Sequence, residues 1–162
     1  MTRMSGWLQL SGRSGRDMRA IERPGAQGEP GKAPSKLRII VADDDRDQVL
    51  TLMTLLRDEG HEVQGLFRGK ELVNAVKEFR PDVLVLDIKL PDASGFEIAE
   101  QIRRRFGNRA PLLIAMSGVF KKGVDRILAE MVGFDHHLTK PFDFDTLLEL
   151  ITPLTLPRRR DN

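Results

Sequence analysis

The chain contains no cysteine, which removes disulfides and thiolate metal sites and fits a reducing compartment. It has no run of about 18 apolar residues able to cross a bilayer, and its first residues lack the apolar core of a signal peptide. These absences point to a soluble, cytoplasmic protein. The histidines His61, His136 and His137 do not fall at a metal-ligand spacing with one another, so zinc is not expected. No internal repeat is present, and 162 residues suit one ordinary domain with its own core.

Charge is unevenly spread. Residues 1–36 carry seven Lys/Arg against three Asp/Glu, and the final RRRDN adds a further net +2, whereas residues 37–157 are net −4. The sequence pI near 9.1 is therefore a property of the ends. It does not mark the body as a nucleic-acid binder. Residues 1–36 are rich in Gly, Pro, Ser and charge without sustained periodicity, a composition expected to stay disordered. The expected organisation is a basic extension over 1–36, a domain over 37–152 and a short basic tail over 153–162.

From Leu37 onward apolar runs alternate with helical patterns. LRIIVA, HEVQGL, DVLVLD, PLLIAM and FDHHLT read as five strands. Between and after them, apolar residues recur at helical spacing: Val49, Leu52, Met53 and Leu56; Leu72, Ala75, Val76 and Phe79; Ile98, Ala99, Ile102 and Phe106. Val124, Ile127, Leu128 and Met131 form a fourth set, and Phe144, Leu147, Leu148 and Ile151 a fifth. Gly60, Pro81 and Pro153 read as helix stops. Five strands alternating with five helices through short connections predict a parallel sheet covered on both faces.

In such sheets ligands collect at the carboxyl ends of strands. That is where the unusual residues fall. Asp43, Asp44 and Asp45 follow the first strand, Asp87 the third, Ser117 the fourth and Lys140 the fifth. Two like charges about 4 Å apart repel by roughly 4 kcal/mol at an effective dielectric near 20, so the acidic cluster calls for a compensating cation. Mg²⁺ takes carboxylate oxygens together with waters and a phosphate. Asp43 and Asp44 are able to supply two carboxylates and Asp87 a third oxygen. A carboxylate also serves as nucleophile in forming an aspartyl phosphate. Lys140 and Mg²⁺ would neutralise the transferring group, and Ser117 would donate a hydrogen bond to it.

The segments VADDDRD, VLVLDIKLPDASGFE, IAMSG and HHLTKPF, in that order, resemble a response-regulator receiver domain of two-component signalling. The resemblance runs from residue 37 to about 152. It implies a flavodoxin-like α/β fold with five helices and strand order 2-1-3-4-5. By position it makes Asp43 and Asp44 the acidic metal pair, Asp87 the phospho-acceptor, Ser117 the switch hydroxyl and Lys140 the lysine before proline. The Lys89 backbone carbonyl becomes a further Mg²⁺ ligand, and the Lys140–Pro141 bond is often cis. Asp45 reads instead as solvated, or as the cap of the first helix.

The chain departs from the family pattern at His137, where many receivers carry Tyr or Phe as an aromatic switch. An imidazole there can change charge near neutral pH. Val119, two residues past Ser117, cannot orient a hydrolytic water, which predicts a long-lived phospho-form. Gly118 leaves the phosphoryl site open.

The function implied is acceptance of a phosphoryl group on Asp87 from a sensor histidine kinase or a histidine phosphotransfer protein. The chain would catalyse only its own Mg²⁺-dependent phosphorylation and dephosphorylation. Signalling would pass to a downstream protein through a surface over about 121–152, with no direct nucleic-acid contact and no membrane. Nine residues follow Pro153, so a single-domain regulator or relay intermediate is expected. Two alternatives stand beside this. One is a receiver-shaped binding module that is never phosphorylated. The other is a haloacid-dehalogenase-type phosphatase using Asp43 and Asp45 as its Asp-x-Asp motif, although no late acidic pair follows the fourth strand.

Overall fold

A computed structural model of the protein describes residues 35–118 and 132–156. The helix expected on Val124, Ile127, Leu128 and Met131 lies outside the described residues, as do Val119, the extension to residue 34 and the tail from residue 157. Residues Ser35–Thr155 form one compact unit.

Five strands are present: β1 Arg38–Ala42, β2 Glu62–Leu66, β3 Val83–Asp87, β4 Leu112–Ser117 and β5 His136–Thr139. They form one parallel sheet in the order β2-β1-β3-β4-β5. Among the described residues the α-helices are α1 Arg46–Asp58, α2 Leu72–Phe79, α3 Gly95–Phe106 and α4 Phe144–Thr155. None is long and apolar enough to cross a membrane.

Each inner strand is apolar on both faces, and its residues alternate between two cores. Ile39, Val41, Val83, Val85, Ile114 and Met116 pack with Val49, Leu52 and Leu56 of α1 and Leu147 and Ile151 of α4. Ile40, Ala42, Leu84, Leu86, Leu113 and Ala115 pack with Leu72, Ala75 and Val76 of α2 and Ile98, Ala99 and Ile102 of α3. In the four described helices the faces read from the sequence are therefore the ones turned to these cores. Burial of these side chains on two layers supplies the principal stabilisation, about 1.5–3 kcal/mol for each large aliphatic residue.

The helix ends follow local chemistry. Asp45 caps α1, its carboxylate accepting the N–H groups of Asp47 and Gln48. Beyond α1, Gly60 takes φ +94°, which an L side chain rarely adopts. Helix α2 ends at Phe79, two residues before Pro81, with Arg80 between them in the left-handed region at φ 50°. The expected stop at Pro153 needs correction: α4 runs through Pro153 to Thr155. Proline lacks the N–H for the Glu149 carbonyl, but in the last turn this costs a single ladder bond. The Thr152 hydroxyl donates to Leu148 O at 2.6 Å and the Thr155 hydroxyl to Thr152 O at 2.7 Å, reinforcing the turn around it.

Candidate functional site

The sheet register brings the acidic residues together. Ala42 pairs with Leu86 across β1 and β3, so Asp43 and Asp87, each the next residue, end adjacent strands side by side. On the other flank, Ser117 pairs with Thr139 across β4 and β5, and the Lys140 N–H donates to Ser117 O at 2.8 Å. Strand order changes direction at β1 and β3, so the rim lies at the switch point, where a crevice opens.

Asp43 is fully buried, Asp87 is 7% exposed and Asp44 is exposed. One carboxylate oxygen from each of the three lies within 4.8 Å of the others. Lys140 reaches across from β5: its Nζ donates to Asp43 Oδ2 at 2.6 Å and to Asp87 Oδ2 at 2.9 Å. The remaining oxygens are held by backbone. Asp43 Oδ1 accepts the Asp45 N–H at 3.0 Å, and Asp87 Oδ1 accepts the Lys89 N–H at 2.9 Å. The Lys140–Pro141 bond is cis.

These contacts divide the two buried acids. Burial pushes the Asp43 carboxyl up, but the Lys140 hydrogen bond, the Asp45 amide and the lysine charge outweigh it and hold the group below the usual carboxylate range. For Asp87, burial outweighs the Lys140 and Lys89 hydrogen bonds, and the nearby Asp43 charge adds to it, so its pKa is raised. Burial alone would lower Lys140, but the hydrogen bonds it donates to Asp43 and Asp87 raise its pKa above the ordinary lysine value. The ammonium is thus held charged between two carboxylates, one comfortably ionised and one under strain.

Three carboxylates facing one lysine leave a net negative oxygen cluster. That donor set is all hard oxygen, with no sulfur or imidazole, and suits Mg²⁺ rather than a softer metal. Ser117 is buried at the end of β4, and a Cβ at Gly118 would meet nothing within 4 Å, so space is open beside it. Lys89 is exposed just past Asp87. His137 is half-buried in β5 opposite Ala115.

Two features were not read from the sequence. Asp92 accepts the N–H groups of Gly69 and Lys70, and Arg103 joins Gly133 O and Asp135 to bolt α3 to the entrance of β5. In sequence each looks like an ordinary turn or helix-face residue, because its partners lie 22 to 32 positions away. The closeness of Asp92 to Asp87 was the one available signal.

A doubly wound sheet with an acidic cluster and one bridging lysine on its carboxyl rim defines an α/β domain of the receiver type. The profile of the response regulator receiver domain matches residues 39–152. The transcriptional regulatory protein TcrA of Mycobacterium tuberculosis is 34% identical over 129 residues, covering 78% of this chain and 50% of that protein. The chain thus spans about half the length of that relative. Among solved structures, the Francisella response regulator 1452 receiver domain is 27% identical with a TM-score of 0.68, covering 74% of this chain and 97% of its own. A CheY-like response regulator receiver domain protein from Methanospirillum hungatei is also 27% identical, with a TM-score of 0.67 and coverages of 75% and 94%. The chain belongs to the response regulator receiver domain family, the receivers of two-component systems. The mycobacterial relative is named a transcriptional regulatory protein, which runs against the expectation of no direct nucleic-acid contact.

Proposed function

We propose that Asp87 accepts a phosphoryl group from a sensor histidine kinase or histidine phosphotransfer protein, in a reaction that needs Mg²⁺. The observation that carries this reading is the bridging of Asp43 and Asp87 by Lys140, which joins the ends of three strands into one charged site. Asp43, Asp44 and Asp87, with the Lys89 carbonyl, would hold the metal. When bound, Mg²⁺ supplies positive charge against the phosphoryl oxygens and relieves repulsion among the carboxylates.

The chain's own groups do the rest. An Asp87 carboxylate oxygen attacks phosphorus in line, forming the aspartyl P–O bond as the donor's bond to phosphorus breaks and its electron pair leaves with the donor. The Lys140 ammonium stays charged and follows the negative charge that develops on the phosphoryl oxygens. The Ser117 hydroxyl donates to one of those oxygens, and its movement biases the surface over about 121–152 toward a downstream protein. His137 sits in that surface as the switch position. The proposal is confined to what residues 39–152 do. We assign the chain to the cytoplasm on the strength of its kinase-linked chemistry.

One alternative is weakened by geometry. In the Asp-x-Asp reading Asp43 would be the nucleophile and Asp45 its acid partner. The Asp45 carboxylate instead caps α1, accepting the Asp47 and Gln48 N–H groups, which turns it away from the role of acid partner.

Intact-mass spectrometry after incubation with acetyl phosphate tests the proposal, with and without Mg²⁺, on wild type and Asp87→Asn. One added phosphoryl group that needs both Mg²⁺ and Asp87 is the expected result. An adduct that survives Asp87→Asn would move the nucleophile elsewhere. No adduct under any condition would leave the receiver-shaped binding module as the better account.

A further inference from the structure

The loop after Asp87 is anchored at its base in a particular way. The Ile88 carbonyl accepts the Gly95 N–H at 2.9 Å, and the next N–H, that of Lys89, donates to Asp87 Oδ1. Those two groups belong to one planar peptide unit, so that plane is fixed from both sides. A bridge between Lys89 and Ser94 closes the base of the loop. The Lys89 carbonyl belongs to the following peptide unit, the first beyond that fixed plane. Its direction depends on how the tip, Leu90 to Ala93, is held.

Asp92 holds the tip. Its Oδ1 accepts the Gly69 N–H at 2.8 Å, and its Oδ2 accepts the Lys70 N–H at 3.0 Å. Two donors on two oxygens fix the plane of the carboxylate as well as its position. The turn it grips is pressed against the loop. A Cβ at Gly69 would lie 2.8 Å from Ala93 Cβ and 2.7 Å from Ile98 Cδ1, so only glycine permits this approach. The Lys70 and Gly69 amides together hold the Asp92 carboxyl below the usual carboxylate range. The acid therefore stays ionised and gripping at neutral pH.

We propose that Asp92 is a positioning residue for the metal site: by strapping the Leu90–Ala93 tip to the turn after β2, it aims the Lys89 carbonyl toward the Asp43–Asp44–Asp87 cluster. This rests on the reading of that cluster as a Mg²⁺ site. Asp92 touches neither metal nor phosphoryl group. Its effect is on how much Mg²⁺ the site requires.

The test is Mg²⁺ titration of the full chain by calorimetry, paired with the Mg²⁺ dependence of phosphorylation by acetyl phosphate. The variants are Asp92→Ala, Asp92→Asn and Asp82→Ala. Asp82 is the control because its Oδ2 accepts the Arg38 N–H at 2.8 Å, a comparable carboxylate-to-backbone bond at the opposite end of the sheet. Asp92→Ala is expected to need about tenfold more Mg²⁺ for half-saturation in both measurements, with full phosphorylation restored at saturating Mg²⁺. Asp92→Asn keeps one acceptor and falls between. Asp82→Ala lowers thermal stability and leaves the Mg²⁺ requirement at the wild-type value.

An unchanged Mg²⁺ requirement in Asp92→Ala, or an equal shift in Asp82→Ala, overturns the inference while leaving the phospho-acceptor reading intact. If Asp92→Ala fails to fold, Asp92→Asn decides, and a wild-type Mg²⁺ requirement there overturns it. A wild-type protein that binds no Mg²⁺ at all overturns both.

Discussion

Lys140 is 20% exposed, and its ammonium is shared between Asp43 and Asp87. Replacing it with methionine leaves two buried carboxylates facing each other without a cation. With a chelator present, Lys140→Met should lose about 2–3 kcal/mol in urea denaturation, and added Mg²⁺ should recover more stability in this variant than in wild type. Asp87 is the opposite case. Its raised pKa means that folding favours its protonated form, so the ionised group costs stability at neutral pH. In metal-free buffer Asp87→Asn should therefore melt a few degrees higher, about 3 °C, while losing all phosphoryl acceptance. The pH window follows from the partners. Asp43 is held low, so its contribution is present above the unfolded carboxyl value near 3.9 and is lost as pH falls through its folded value. Lys140 is held high, so its contribution is present below about 10.4 and is lost as pH rises through its folded value. A urea-denaturation series across pH should show both limbs in wild type and lose the alkaline one in Lys140→Met.

At the scale of elements, two glycines set how close a helix approaches the sheet, and they should respond differently. A Cβ at Gly95, the first residue of α3, would lie 2.7 Å from Ile88 Cα and 2.9 Å from the Asp87 carbonyl oxygen. Backbone cannot yield there, so Gly95→Ala should lose about 2–3 kcal/mol and also reduce phosphorylation, because the displaced backbone carries Asp87. A Cβ at Gly65 in β2 would instead meet Met53 Sδ at 2.5 Å and Val49 Cγ1 at 2.7 Å. Met53 has rotamers to retreat into, so Gly65→Ala should lose about 1 kcal/mol with phosphorylation intact. Urea denaturation with the mass assay separates the two. The elements themselves were legible, since LRIIVA and DVLVLD are continuous apolar runs and the α1 and α3 faces keep helical spacing. Asp43 and Asp87 were legible because each directly follows or ends such a run, and Lys140 because it stands before Pro141 at the end of the weaker strand pattern FDHHLT. The grip of Asp92 on Gly69 was not, because a side-chain bond to a distant backbone leaves no periodic trace. Pro153 misled because its cost depends on lying in the last turn, which local sequence does not state.

Among the described strands, β1, β3 and β4 are the most tightly built. Ile39 to Ala42, Val83 to Leu86 and Leu113 to Met116 are fully buried, whereas β5 carries two half-buried histidines and an exposed Thr139. Edge strand β5 also pairs on one side alone. Native-state hydrogen exchange should find the slowest amides in β1, β3 and β4, with β5 opening at lower free energy. That ordering places the acceptor on the rigid part of the sheet and the proposed output on the looser part. Uniform protection across all five strands would contradict it.

The two-sided burial of β1 carries a consequence for how the chain finds its alignment. When both faces of a strand are oily, sliding it by one residue exchanges one greasy face for another, and the core alone penalises the error little. The ends are what forbid the slip. Arg38 exchanges two hydrogen bonds with Asp82, one through the Asp82 carboxylate and one through its amide, and five residues later Asp43 meets Lys140. Slide β1 either way and a charge is dragged into the sheet. The carboxylates at the two ends thus act as alignment pins during assembly, so a variant that neutralises both Asp82 and Asp43 should populate mispaired sheets before it loses its core.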